Sequence, residues 1–192
     1  MQIVTATLVL RDFEDADWRA LHAFESDPEV VRYQSYGPHS EDDSKRYIAR
    51  DRALQGERPR RVFDLAIVAR DEGGPIGRVA LRVQPPDDRE GVIGGVLHRR
   101  FWGQGVMLEA FRAIIDFGFD ACGLEAIRST VHGDNRGAQV LTERIGLRRQ
   151  SHLTRSVVVK GVRCDVLRYL ILRDDPVRDG WARPRRAADA GT

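Results

Sequence analysis

The 192-residue sequence contains only two cysteines, Cys122 and Cys164, too few for the disulfide framework of a small secreted domain. It lacks an apolar run near the ~20 residues that cross a bilayer, and its N-terminus lacks the pattern of a signal peptide. It also lacks an excess of one charge, since 31 Lys and Arg face 29 Asp and Glu, a net charge of +2. These absences predict a cytoplasmic protein with neither a nucleic-acid nor a membrane partner.

No cluster of His, Cys and carboxylate residues has metal-ligand spacing, so we expect no metal site. The chain is long enough for one domain with a substantial core, which we expect to span residues 1–173. Residues 174–192 combine charge, proline and alanine without an apolar period, and we expect a flexible tail there. We interpret the basic cluster at 183–186 as part of that solvated tail, with Trp181 as a local anchor.

Hydrophobic periodicity predicts secondary structure along the first half of the chain. We expect helices near 15–25 and 40–55 and strands near 3–13, 61–70, 75–84 and 90–98, followed by alternating strands and helices. The composition of residues 71–75 is that of a hairpin turn. The two early helices and the loop at 85–90 are expected to carry specificity, because loops and lids usually do.

Residues 100–106 join an apolar, strand-like run at 92–97 to a helix-like run at 106–119. Gly103 and Gly105 bring no Cβ and tolerate positive φ, so successive N–H groups can converge on a phosphate at the helix N-terminus. Arg100 would add a charged donor. An ordinary tight turn into a helix explains the same residues, so this segment alone leaves both interpretations open.

A second strand and helix follow, with a strand-like run at 127–132, Asn135 as a candidate cap and Gly146 as a helix exit. The order of these pieces resembles the GNAT superfamily of acetyl-CoA-dependent N-acetyltransferases. Its signature is Arg or Gln, two residues, Gly, any residue, then Gly or Ala. Arg100, Gly103 and Gly105 match that signature.

Residues 93–110 are similar to the branch that contains the ribosomal-protein N-terminal acetyltransferases. The opening Leu-Val-Leu-Arg at 8–11, the acidic segment at 15–17 and the element at 27–30 also resemble that branch, as do Gly161, Asp165 and Tyr169 on a final hairpin. The resemblance covers residues 3 to 173. It implies an α/β GNAT-like fold with a mixed central β-sheet of about six or seven strands flanked by helices. By analogy it also implies a homodimer.

The resemblance implies acetyl-CoA as co-substrate, held by the strand before the glycine loop, by the loop and by an asparagine. The implied contact residues are Gly95, Val96, Leu97, His98, Arg100, Trp102, Gly103, Gln104, Gly105, Val106 and Asn135. Adjacent glycines inside a strand, Gly94 and Gly95, indicate a bulge or a close backbone approach, with loose packing as the alternative. Asn135 is equally explained as an N-cap.

Two positions depart from the family pattern. Where many members carry a tyrosine as general acid this chain has Thr142, and where the branch carries a serine it has Ala138. The proton donor is therefore unassigned. A thiolate with a pKa of about 8.5 can take its proton from water, so the departures do not require an inactive protein.

The general base is also unassigned, because Val92 stands where the family often places a glutamate. Glu90 is our first candidate and Asp64 the second, with Asn135 as a further candidate catalytic residue. We expect His132 to be structural, as a lone histidine near a strand end usually is. Glu109, Arg112 and Asp116 are spaced as an exposed, ion-paired stripe on an apolar helix.

The resemblance implies an acyltransferase that moves an acetyl group from acetyl-CoA to a primary amine by direct attack. Deprotonating a lysine-like amine at pH 7 costs roughly 4 to 5 kcal/mol and an α-amine about 1, which favours a protein or peptide N-terminus. A small amine (polyamine, aminoglycoside or amino-acid derivative) and a non-catalytic acyl-CoA-binding protein are the alternatives. A nucleotide-binding protein is a further rival, although the chain lacks the Rossmann and P-loop fingerprints. Acceptor, acyl chain length and oligomeric state stay open.

Overall fold

The computed structural model describes residues 1–86, 88–181 and 185–186, with no account of side chains in the last pair. The strands are β1 (Gln2–Val4), β2 (Leu8–Asp12), β3 (Val62–Ala69), β4 (Pro75–Gln84), β5 (Glu90–Leu97), β6 (Ala126–His132), β7 (Arg148–Val159), β8 (Val162–Leu172) and β9 (Arg185–Arg186). The helices are α1 (Trp18–Glu25), α2 (Glu41–Gln55), α3 (Val106–Asp120) and α4 (Arg136–Ile145). Short 3₁₀ turns occupy Asp15–Asp17, Arg99–Phe101 and Pro176–Gly180.

The strands form one mixed sheet in the order β7-β8-β6-β5-β4-β3-β2-β1-β9. The pair β5–β6 is parallel and every other described pair is antiparallel. The predicted α/β class and mixed central sheet are confirmed. Nine strands are described rather than six or seven, in part because the short strands β1 and β9 extend one edge.

Helices cover both faces of the sheet. Side chains of β3 to β5 alternate between the faces, as a pleated strand requires. Leu65, Val79 and Ile93 belong to the larger core with α3, while Ala66 and Val96 belong to the smaller core with Phe24 of α1 and Ile48 of α2. We call these the α3 face and the α1–α2 face.

The predicted early helices are present, and sequence-local signals explain their ends. Ser40 Oγ accepts a hydrogen bond from Asp43 N–H at 3.2 Å, and Asp43 Oδ2 accepts one from Ser40 N–H at 2.9 Å. This capping box begins α2 and explains why acidic residues cluster there. The strand expected near 3–13 is divided into β1 and β2, joined by a turn in which Thr5 N–H bonds to Leu8 O at 2.9 Å.

The C-terminal segment packs closely as far as residue 181, although the sequence placed residues 174–192 in a flexible tail. Trp181 is only 6% exposed and belongs to the larger core. Arg178 reaches Asp116 Oδ1 of α3 at 2.8 Å. Asp116 is therefore buried by a distant segment, and the stripe expected to be exposed on α3 is not. The basic cluster at 183–186 lies outside the described side chains.

Glu109 also departs from that stripe. It accepts hydrogen bonds from the N–H and the hydroxyl of Thr7, both at 2.8 Å, and so ties α3 to the turn before β2.

No helix in the described residues has the length and apolar character to span a bilayer.

Candidate active site

The parallel strands β5 and β6 are paired over only part of their length. They pair from Glu90↔Ala126 to Val92↔Arg128, and within the described residues no pairing between them continues beyond that point. On its other side β5 stays paired with β4 as far as Leu97↔Gly77. The sheet therefore opens a cleft along residues 93–97 of β5, at the end where both strands point toward their C-termini.

Backbone groups of β5 face this cleft. His98 N–H donates to Ile76 O of β4 at 2.9 Å, and residues of an antiparallel pair alternate between bonding to the partner and pointing away from it. The N–H groups of Leu97 and Gly95 consequently point away from β4 and into the cleft. Such amides can stabilise negative charge developing on a bound carbonyl oxygen.

Gly94 and Gly95 do not form the bulge that the sequence suggested, because the β4–β5 register runs unbroken through both. The alternative expectation, a close backbone approach, describes Gly95. A Cβ there would lie 2.9 Å from Arg78 O and 3.2 Å from Met107 Sδ. A Cβ on Gly94 would meet nothing within 4 Å, so the α1–α2 face is open beside the cleft.

The connection from β5 to α3 is shaped by side-chain bonds to backbone. Trp102 Nε1 donates to Leu97 O at 2.8 Å, and Gln104 Nε2 donates to Arg100 O at 2.7 Å. His98 Nδ1 accepts from Arg100 N–H at 3.1 Å. These bonds fold the connection into a compact loop over the end of β5.

Both glycines of the loop use the conformations that glycine favours. Gly103 has φ of 75° and Gly105 has φ of 83°, and a Cβ on either would meet nothing within 4 Å. Gly105 caps α3 with no side-chain hydrogen bond, so the first N–H groups of that 15-residue helix stay available. An open glycine cradle at a positive helix end fits a phosphate group.

Two arginines flank the loop. Arg99 Nε lies 3.4 Å from Asp27 Oδ2 and Arg100 lies 3.4 Å from Glu72 Oε1, with both arginine side chains more than half exposed. Exposed pairs of this kind are weak, so either guanidinium can turn to an incoming anion.

Asn135 follows β6 at the same end of the sheet. Its Oδ1 accepts from Ala138 N–H at 3.0 Å, which confirms the N-cap interpretation and leaves its NH₂ group outside the cap. The glycine loop and Asn135 thus follow the carboxyl ends of the two parallel strands, β5 and β6, which is the edge where open α/β sheets bind ligands.

The proposed base Glu90 is poorly placed for that role. Arg128 binds its two carboxylate oxygens at 2.7 and 2.8 Å, and this hydrogen bonding lowers the pKa of Glu90. Glu90 also stands at the paired end of β5, roughly 17 Å from Gly95 at about 3.3 Å per residue. A base needs a free lone pair and a pKa near the working pH.

Thr142 is buried on α4 and the side chain of Ala138 has no polar group. Neither position therefore supplies the tyrosine or serine hydroxyl that the family pattern uses as general acid. His132 Nδ1 accepts from Asp134 N–H at 3.1 Å and the ring packs 5.0 Å from the ring of Tyr33. These contacts agree with the structural role expected for His132.

A buried polar cluster covers the α1–α2 face of β4. Arg78 donates to Glu25 Oε1 at 2.7 Å and to the Tyr36 hydroxyl at 2.8 Å, and Tyr36 donates to Glu25 Oε2 at 2.7 Å. Glu25 is fully buried. Burial raises the pKa of Tyr36 well above its ordinary value, so its phenol serves as a hydrogen-bond donor.

Asp64, the second candidate base, lies at the margin of this cluster. It accepts a short hydrogen bond from Tyr47 and is 3.6 Å from Arg78. Sequence reasoning missed Glu25, Arg78 and Tyr36. The available signal was Arg78 itself, a charge in the middle of the apolar strand at 75–83.

Comparison with known proteins identifies the family. A model of the acetyltransferase (GNAT) domain matches residues 7–148. The uncharacterised N-acetyltransferase YnaD of Bacillus subtilis is 26% identical over 175 residues, which cover 91% of this chain and 99% of that protein.

Solved structures share the fold. A GNAT acetyltransferase from Bacillus anthracis superposes with a TM-score of 0.81 at 23% identity, over 91% of this chain and 100% of that chain. The ribosomal-protein α-N-acetyltransferase RimL, solved with coenzyme A, gives 0.77 at 17% identity over 88% and 97%. Spermidine N-acetyltransferase from Vibrio cholerae, solved with CoA and spermine, gives 0.75 at 21% identity over 88% and 97%.

Proposed function

The chain belongs to the GNAT acetyltransferases, and we propose that it moves the acetyl group of acetyl-CoA to a primary amine by direct attack on the thioester. The observation that carries this proposal is the cleft between β5 and β6, which opens beside the glycine loop and the uncapped start of α3. A strand with free amides next to an anion cradle suits a thioester attached to a phosphate-bearing arm.

The proposed contacts divide by chemistry. Backbone groups of 103–106 and the side chain of Arg100 hold phosphate, and Gly95 to Leu97 with the Asn135 amide bond the arm and the thioester. Trp102, His98 and Gln104 act indirectly, because their hydrogen bonds to the backbone shape the loop. The N–H groups of Gly95 and Leu97 are aimed where the carbonyl oxygen gains charge in the transition state.

The amine approaches from the α1–α2 face, because Gly94 is open there while α3 fills the opposite face. Its nitrogen forms a bond to the carbonyl carbon, the carbon–sulfur bond breaks, and the thiolate leaves. With a pKa of about 8.5 the thiolate is reprotonated by water, and the ammonium proton passes to solvent. No step needs Glu90.

Two acceptor classes fit this direct attack. RimL is an α-N-acetyltransferase of a ribosomal protein, and the Vibrio cholerae neighbour acts on spermidine, so the fold accommodates both. An α-amine demands less of a base and is favoured where none is free. A small amine is the second candidate, because the spermidine acetyltransferase shares the fold.

Calorimetric titration with acetyl-CoA tests the proposal. We expect micromolar binding to the wild type and its loss in Gly105→Glu, which puts bulk and negative charge into the anion cradle. Gly123→Glu is the matched control, because Gly123 also has positive φ (73°) and open space but follows the far end of α3. Absence of binding to the wild type would refute the proposal. Binding without turnover of any amine would select the non-catalytic alternative.

A further inference from the structure

The α1–α2 face of the sheet is uncovered beyond β5. The smaller core under α1 and α2 takes its sheet residues from β3 and β5. On β6 and β8, Val131 and Tyr169 are buried toward the α3 face, whereas Thr130 and Arg168 on the opposite side are exposed. This uncovered surface borders the cleft, because β6 forms one wall of the cleft. We call it the open face, and its residues are Arg82, Val92, Arg128, Thr130, Arg148, Arg168 and Leu170.

Strand register sets three arginines of the open face in a row. Arg82 of β4 is opposite Val92 of β5, which is opposite Arg128 of β6. Leu170 of β8 then separates Arg128 from Arg148 of β7. Residues directly opposite one another point to the same side of a sheet. The three arginines therefore share this face at intervals of about 10 Å, which is two strand spacings.

Two carboxylates beside this row are already bound. Arg128 holds both oxygens of Glu90, at 2.7 and 2.8 Å, and Arg148 lies 2.7 Å from Asp175. Neither carboxylate is therefore available to bind a cationic ligand on the open face.

Arg82 and Arg168 differ from the other arginines of the open face. Both are exposed, and within the described residues neither forms an ion pair. Arg82 also borders a cavity of about 240 Å³ under α2, together with Asp51 and Asp64. These aspartates are each only 3% exposed, so they lie behind Arg82 rather than on the open face. The two guanidinium groups thus have N–H donors to offer an anion that arrives from solvent.

A segment that follows α1 crosses the other end of the cleft. Asp27 Oδ2 lies 3.4 Å from Arg99 Nε, just beyond the end of β5. The ring of Tyr33 packs 5.0 Å from the ring of His132, at the end of β6. Residues 27–33 therefore run from the end of one cleft strand to the end of the other.

The β7–β8 hairpin holds this segment in place. Lys160, between the two strands, donates from Nζ to Val31 O at 2.8 Å, and Val31 is fully buried. The carboxyl end of the cleft is thus closed on the α1–α2 face. An acceptor with its amine at Gly94 must leave in the opposite direction, over the open face.

Both unpaired arginines lie within reach of Gly94. Arg82 is one strand away and two residues further from the closed end, about 8 Å between Cα atoms. Arg168 lies on the other side, beyond Thr130 and two strands away, roughly 10 Å between Cα atoms. An extended chain advances about 3.3 Å per residue. Carboxylates on the second to fourth residues of a peptide bound by its N-terminal amine can therefore reach these groups.

We propose that the acceptor is a peptide or protein N-terminus followed by acidic residues, which bind Arg82 and Arg168 on the open face. Its α-amine lies at Gly94 and attacks the thioester, and its chain leaves the cleft over Thr130. This inference rests on the proposed acetyl transfer and specifies its acceptor. A polyamine is disfavoured, because its cationic groups would face the guanidinium groups.

Three peptides test the charge preference of the acceptor site. Each is a C-terminal amide of the sequence Ala-Ala-X-X-Gly-Gly, in which X is Glu, Gln or Arg, so only the α-amine can take the acetyl group. We expect kcat/KM for the Glu peptide to exceed that for the Gln peptide by about fivefold, the range of two exposed ion pairs. The Arg peptide should fall below the Gln peptide by a similar factor. Added salt should reduce both differences.

Single variants locate the preference on the open face. Arg82→Gln and Arg168→Gln should each lower the ratio of kcat/KM for the Glu peptide to that for the Gln peptide by about two- to threefold. The double variant should bring this ratio close to one. Arg144→Gln is the charge-matched control, because Arg144 is exposed on α4, which packs on the α3 face, and it should leave the ratio unchanged. Turnover of the Gln peptide shows that each variant is folded.

Equal kcat/KM for the three peptides would overturn the inference, as would a ratio that Arg144→Gln lowers as much as Arg168→Gln does. A polyamine such as spermidine acetylated more efficiently than every peptide would also overturn it, while preserving the proposed function. Failure of acetyl-CoA to bind in the parallel titration would instead remove the proposed function itself.

Discussion

Gly94 and Gly95 are neighbours in β5, yet their side-chain positions face opposite sides of the sheet. Gly95 is required by packing, since backbone of β4 and Met107 of α3 occupy the space that a Cβ would need. Gly94 is not required by packing at all. An open glycine beside the cleft is better explained by the room that an acceptor needs than by the fold.

Alanine substitution should separate the two glycines. Gly95→Ala forces a Cβ to 2.9 Å from Arg78 O, a backbone atom with little freedom to move, and we expect a loss of about 1–3 kcal/mol of unfolding free energy. Gly94→Ala meets no atom and should leave stability unchanged or slightly raised. Urea denaturation of both variants measures the difference. Equal stabilities would mean that α3 yields to a side chain at position 95.

The buried carboxylate of Asp51 should lower the free energy of unfolding by an amount that depends on pH. Burial, helped by the nearby Asp64, raises the pKa of Asp51 from 3.8 to about 6, against a hydrogen bond from Gln55 that lowers it. The folded state therefore holds a proton that the unfolded state has released between about pH 4 and 6, and stability falls as pH rises through that window. Above that pH window the destabilisation by the ionised Asp51 is complete.

Asp51→Asn removes that ionisable group. We expect the variant to exceed the wild type by on the order of 1 kcal/mol above pH 6, after discounting for solvent screening, and to lose this advantage below pH 4. Thermal unfolding across the pH range checks the sign. Asp42→Asn should show no such trend, and a wild type as stable as Asp51→Asn at pH 8 would contradict the assignment of burial as the cause.

Among the elements, α3 depends on segments far away in the chain. Its first turn is tied to Thr7 through Glu109, and its last turns are covered by the 3₁₀ turn at Pro176–Gly180 and by Trp181. The N-terminus of α3 adjoins the glycine loop. The C-terminal segment therefore stabilises the helix on which the candidate cofactor site depends.

Removing the Trp181 side chain should therefore destabilise the protein strongly. We expect Trp181→Ala to cost about 3–5 kcal/mol, the range for a large buried aromatic. Trp102→Ala, whose side chain is half exposed, should cost about 1 kcal/mol, chiefly its bond to Leu97 O. Differential scanning calorimetry compares the two. A loss for Trp181→Ala no larger than that for Trp102→Ala would mean that the packing of Trp181 contributes little to stability.

At the scale of the whole molecule, the sheet is continuous except where β5 and β6 part, so a ligand in that cleft joins the two halves of the sheet. Binding restricted to the folded state stabilises it in proportion to ligand concentration. The proposed cleft thus makes a prediction about global unfolding as well as about activity.

Acetyl-CoA at one hundred times its dissociation constant should add about 2.7 kcal/mol to the unfolding free energy, which raises Tm by roughly 5–10 °C in a chain of this size. A dinucleotide such as NADH at the same concentration should give no comparable shift. An equal shift with both ligands would favour the nucleotide-binding rival and count against the cleft as a pantetheine site.

Local sequence signals were sufficient wherever the chemistry lies within a few residues. The glycine loop, the capping box at Ser40 and the cap at Asn135 all depend on neighbours in sequence, and the resemblance carried by Arg100, Gly103 and Gly105 led to the correct family. The sequence also placed Glu90 and Asp64 as candidates, because a carboxylate near a strand end is visible without coordinates.

Only the tertiary structure decided what those carboxylates do. Glu90 is bound by Arg128 because β5 and β6 happen to pair at that level, and no local pattern encodes which strand becomes the neighbour. Asp51, Asp64 and Arg82 meet at one cavity although they come from a helix and two strands. The sequence by itself determined the family and the loop, whereas the acceptor side depends on pairing and packing between distant segments, which sequence spacing does not record.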